Sequence, residues 1–80
     1  MTKIEYEKCV KMMEEAIRKA KQAEDEYKEA DKHLVYANEL EWETEQRKAD
    51  QHYGEAIGIN QVLVILGFKN DRMNELSELL

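Results

Sequence analysis

Two histidines and one cysteine have the widest chemical reach in this 80-residue chain. Glu29 precedes His33 by one helical turn and Glu55 follows His52 by three residues, so each pair could share a helix face and fill two positions around a metal ion. A zinc site needs three or four ligands, and Cys9 stands 24 residues from His33. Neither set is complete, and in a chain this rich in glutamate a surface or seam histidine is the expectation. Cys9 falls where a buried, inert thiol is expected, and no strand-turn-helix pattern sets a base beside it. The glycines at 54, 58 and 67 are not followed by the lysine of a phosphate-binding loop. The residues therefore predict no catalytic group, no metal, no cofactor and no enzyme.

Charge narrows the partners. Twelve Lys and Arg against eighteen Asp and Glu leave −6, which opposes direct binding to a phosphate backbone and favours a basic or neutral partner. Acid gathers in two runs. Glu24, Asp25, Glu26, Glu29 and Asp31 surround Lys28 alone, and Glu39, Glu41, Glu43 and Glu45 surround Leu40, Trp42 and Thr44 with no base between them. One reading is a pair of solvated helix faces. The other is a row of carboxylates that occupies the basic, nucleic-acid-binding cleft of a target protein, with Trp42 as its anchor. A Trp42 buried at a helix crossing competes with that second reading.

These side chains need elements to hold them, and composition points to helices. The chain is 42% hydrophobic and 38% charged, without proline and with Glu, Lys, Ala and Leu abundant. Tyr6, Met13, Ala20, Tyr27 and Leu34 stand seven apart, and Cys9, Ala16, Ala23, Ala30 and Ala37 follow each by three, so five heptads have a and d filled. These ten residues form the predicted seam. Thr2 and Glu5 read as a capping box at its start. Alanine at nearly every d position permits close approach of a second helix but buries little area per layer. Val10 and Ile17 widen the stripe.

Beyond Ala37 the a and d positions would be Glu41, Thr44, Lys48 and Gln51, and a new set of Trp42, Ala49, Ala56 and Leu63 resumes. A stutter in one continuous helix over about 3–53 is the preferred reading. A turn near 38–43, folding the chain back so that Tyr53 meets Tyr27 and Leu63 meets Ile17, is the alternative. Period-2 alternation over Leu40, Trp42 and Thr44 also fits a strand, but no second strand exists to pair with it.

Gly54 is expected to separate this arm, 1–53, from an apolar region, 54–80, within one domain. A helix over about 55–66 carries Ile57, Ile59, Val62, Leu63, Ile65 and Leu66 and is expected to be the most buried part of the chain. Gly54 and Gly58 suggest a close helix crossing, in a hairpin or between copies. Gly67 reads as a helix-ending residue, and Asn70 or Asp71 as the cap of a last helix over about 71–80. Phe68, Met73, Leu76 and Leu80 complete the apolar interface.

The sequence thus predicts an all-α, coiled-coil, oligomeric helical bundle. A homodimer is expected, antiparallel because parallel pairing would oppose Glu26 and Asp31, and another protein docks on the apolar region. The longest apolar-leaning run, Ala56 to Phe68, is too short to span a membrane. With no signal-peptide pattern at the start, the expected compartment is the cytoplasm, and Cys9 stays reduced.

Overall fold

The computed structural model describes residues 1–35 and 39–80, with side chains given outside 33–35 and 39–41. The described residues form three helices and no strand: α1, Lys3–Val35; α2, Glu39–Ile65; and α3, Met73–Leu79.

The capping box starts α1. Thr2 Oγ1 accepts the Glu5 amide at 3.1 Å and donates to Glu5 Oε1 at 3.1 Å, which satisfies one of the first free N–H groups of the helix. The heptad then does what its small residues allow. Cys9, Met13, Ala16, Ala20, Ala23 and Ala30 are buried, with Ile17 beside them. Tyr27 is half-buried and Tyr6 exposed, while the side chain of Leu34 and all of Ala37 lie outside the described residues.

What fills the seam is the same chain. α2 packs antiparallel on α1, and Ala49, Ala56 and Leu63 bury themselves at seven-residue spacing. The preferred expectation of one helix over 3–53 is therefore overturned in favour of the fold-back. Leu63 and Ile17 share one core, and Tyr27 and Tyr53 line one cleft. Of the expected 38–43 window, residues 39–43 are already helical, and 38 lies outside the described residues. Two alanine-rich faces match each other in size, and joining them removes both from water without a second copy. The strand reading of 40–44 is corrected by the same helix.

Gly54 does not divide the chain, since α2 runs unbroken through it and through Gly58. No close crossing occurs there within the hairpin: a Cβ built on either glycine meets nothing within 4 Å. The expected burial of 55–66 is also corrected. Only Ala56 and Leu63 are buried in that span, while Val62, Val64, Ile65 and Leu66 are exposed. A helix that is apolar on several sides needs neighbours on several sides, and α2 has α1 along one face.

Gly67 ends the segment, with φ 72. The Phe68 amide donates to the Leu63 carbonyl and the Gly67 amide to the Val64 carbonyl, both at 3.0 Å, the two bonds of a Schellman cap. Phe68 and Leu63 then meet in the core, the apolar contact that accompanies such caps. Asn70 Oδ1 accepts the Arg72 amide at 2.9 Å, a side-chain turn that holds the chain for α3. That helix starts at Met73, two residues later than expected, and it lies along α1, with Arg72 reaching Glu14 and Glu75 reaching Lys21 while Leu76 is buried in the shared core.

Candidate interaction surface

His52, on α2, faces α1. Its Nδ1 donates to Glu26 Oε1 at 2.5 Å, and both side chains are largely covered. It does not team with Glu55, whose carboxylate is taken by Lys19 and Gln51. Those two donors hold the Glu55 carboxyl below the usual glutamate range, Lys19 being the stronger cause. Among the described residues no three His, Cys, Asp or Glu side chains are placed to hold a metal ion. The side chain of His33 lies outside them. Cys9 is a free thiol within the core, with 4% of its surface exposed.

One phenol is perturbed. The Tyr27 hydroxyl donates to Asp50 Oδ1 at 2.5 Å across the hairpin, and its pKa is pushed up to about 12, chiefly by that hydrogen bond, then by desolvation and the Asp50 charge. Losing the proton would set two anions side by side. The cleft beside it, of about 360 Å³, is lined by Ala20, Glu24, Tyr53, Glu78 and Leu79 among others. The Tyr53 hydroxyl donates to the Leu80 carbonyl and so ties the last residue to α2. Both tyrosine hydroxyls are thus engaged in joining separate parts of the fold.

The acidic runs take up different surroundings. Glu24 pairs with Lys28 at 3.5 Å and Glu29 with Lys32 at 3.1 Å, so part of the first run is neutralised on its own helix. In the second run Glu43 is exposed, Glu45 meets Lys48 at 3.8 Å, and Trp42 is half-buried. The side chains of Glu39 and Glu41 lie outside the described residues. The fold-back sets both runs in the half of the hairpin nearest the chain reversal.

The apolar C-terminal set divides in two. Leu63, Phe68 and Leu76 belong to the core, with Ile59, Met73 and Leu80 packed against it; Ile57 is half-buried. Val62, Ile65 and Leu66 remain in water at 44%, 84% and 54% exposure. Val64, expected to be buried with the rest of this apolar segment, is 63% exposed. Met1 and Ile4 at the start of α1 join the same end of the molecule, and they too escaped a reading by heptad position. Two shallow grooves run beside these residues. One, of about 420 Å³, is lined by Met1, Glu5, Lys8, Cys9, Met12 and Leu66. The second, of about 520 Å³, shares Met12 and continues past Ile59 and Val62 to Gly58, Glu15, Lys19 and Glu55. On α1 the shared wall follows the spacing 5, 8, 12, 15, 19, a stripe next to the heptad seam that a search for this surface could have used.

No protein-family model, no curated protein and no solved structure matches this chain. Function has to be read from its own surface. Among the described residues no helix is long and apolar enough to cross a membrane.

Proposed function

We infer that the protein is a non-enzymatic protein-protein interaction module that docks on its partner through the apolar end of the hairpin. The observation that carries this reading is the exposure of Val62, Val64, Ile65 and Leu66 together at the end of α2. Contiguous exposed aliphatic surface is uncommon on a monomer and marks a contact site. From Ala56 to Phe68 the chain has no charged residue, although 38% of all its residues are charged, and depletion of charge is the compositional sign of an interface centre. Leu63 and Phe68 are buried at this end, so the exposed side chains stand on a packed base. The seam of Cys9 to Ala30 is satisfied within the chain, and self-association through that seam is no longer needed to cover it.

A second reading rests on the acidic half. The fold-back gathers the 24–31 and 39–45 runs toward one end, where a row of carboxylates could fill a basic cleft. Salt separates the two. Capture of partners from lysate at about 0.1 M and again at about 1 M salt, where the screening length falls from about 10 Å to about 3 Å, leaves apolar docking intact and strips carboxylate contacts. Retention at high salt, with loss in Val62→Lys and Ile65→Lys, supports docking through the apolar end. Loss at high salt, with loss in Glu43→Gln and Glu45→Gln, replaces it with the second reading, a small acidic inhibitor that fills the basic, nucleic-acid-binding cleft of its target.

A further inference from the structure

The cleft where α1, α2 and the end of α3 meet is a different kind of surface from the apolar end. We propose that it is a seat for a guanidinium group, carried by an arginine side chain of a basic partner. This goes beyond the reading of the apolar end as a docking surface and does not depend on it.

Aromatic walls come first. Tyr27 on α1 and Tyr53 on α2 both line the cleft, which measures about 360 Å³ and has Leu79 beside them. Both hydroxyls are already committed, Tyr27 to Asp50 at 2.5 Å and Tyr53 to the Leu80 carbonyl, so what the rings offer a ligand is their carbon surface and not a hydroxyl donor. The same hydrogen bonds hold the rings in place before anything binds, which lowers the entropy lost on binding. An aromatic ring attracts a cation over its face through its quadrupole.

Charge at the cleft complements that cation. Glu24, Asp31 and Glu78 line it against Lys28 alone. Among the described residues Asp31 and Glu78 form no ion pair, and Glu24 has only Lys28, at 3.5 Å with both side chains more than half exposed. A contact that open is worth little and yields to a better-placed cation. α3 ends here too, without a basic residue in its last turn, so its free carbonyls add to the negative potential. The wider surface agrees: residues 21–55 hold eleven Asp and Glu against five Lys and Arg, and the rest of the chain seven against seven. The hairpin keeps that whole excess in the half that holds Tyr27 and Tyr53, which draws cations toward the cleft.

Chemistry selects guanidinium among cations. A divalent metal ion needs a cluster of oxygen ligands, and among the described residues no three such side chains are placed to hold one. An ammonium is compact and strongly hydrated, whereas guanidinium is planar, weakly hydrated, stacks on aromatic rings and has donors enough for two carboxylates at once. Two rings with unpaired carboxylates on separate helices, Asp31 on α1 and Glu78 on α3, suit the second kind.

Nuclear magnetic resonance titration of the full chain with N-acetyl-arginine amide, in about 0.1 M salt, tests the seat. The probe is expected to shift the Tyr27 and Tyr53 ring signals saturably, with Kd on the order of 1–10 mM, and its uncharged citrulline isostere to leave them in place. Asp31→Asn with Glu78→Gln should weaken the probe about fivefold or more at an unchanged melting temperature, since both carboxylates are exposed. Asp25→Asn with Glu43→Gln removes the same charge from exposed positions of the same half outside the cleft, and should change binding less than about twofold. Lys28→Gln should tighten it by removing the competing ammonium. Equal weakening by the two double variants, or shifts that grow without saturation, reduces the effect to general charge attraction and overturns the seat. Equal affinity for N-acetyl-lysine amide or spermidine overturns the choice of guanidinium. Val62→Lys and Ile65→Lys should leave the titration unchanged, so failure here and failure of the apolar docking surface are read separately.

Discussion

His52 on α2 and Glu26 on α1 meet at 2.5 Å across the hairpin, and the second carboxylate oxygen of Glu26 is buried without a partner. The pair is a polar bolt beside an alanine seam. Removing the imidazole leaves a largely covered carboxylate with nothing to bond, which costs more than the hydrogen bond itself contributed. His52→Ala is expected to lose about 1–3 kcal/mol in urea unfolding at neutral pH. Glu26→Gln in the same background should recover part of that loss, since a neutral amide is cheaper to bury.

Leu63 is the largest aliphatic of α2 held wholly inside, and it joins the helix to Phe68 and the base of α3. Leu63→Ala should destabilise by about 2–5 kcal/mol, enough to unfold a domain of this size at moderate temperature. Ile65→Ala, in contrast, should stay within about 0.5 kcal/mol, because Ile65 is 84% exposed and loses no core contact. Thermal melts of the two variants beside the parent check the difference.

Ala20 and Ala56 are both wholly or nearly wholly buried in the same core, where size is limited by the facing helix. Ala56→Leu adds volume to a filled site and should cost about 1–3 kcal/mol. The variant should also show slower and less complete protection of α1 amides in hydrogen exchange, since the helix depends on that contact. Protection equal to the parent would mean the seam is looser than its burial indicates.

Alkaline titration reads the Tyr27 to Asp50 contact. With a folded pKa raised to about 12 from an ordinary value of 10.0, the hydroxyl releases its proton more readily from the unfolded chain. The contact's stabilising effect is therefore complete below about pH 10 and is lost as pH rises toward 12. Tyr27→Phe should remove that part of the decline. The acid limb has the opposite sign. Glu55, held low by Lys19 and Gln51, and Glu75, held low by Lys21 and Arg72, contribute above the usual glutamate pKa and stop contributing as pH falls through their lowered values. Glu55→Gln and Glu75→Gln should shallow the acid limb of melting temperature against pH.

The alanine seam, the capping box of Thr2 and Glu5, and the left-handed stop at Gly67 were all legible in the residues, because each depends on neighbours within about a turn or on a period that helix geometry imposes. The return of α2 along α1 was not, since no proline or glycine precedes Gly54 in the sequence. What sets α2 against α1 is the gain from joining two alanine faces many residues apart, a long-range free energy that no local propensity records. The same cause divided the apolar C-terminal set. Leu63 and Val62 are adjacent and similarly apolar, yet one is covered by α1 and the other stands in water. Hydrophobicity told which residues wanted burial, and only the position of α1 against α2 decided which of them obtained it, because a helix with one long neighbour can hide one face.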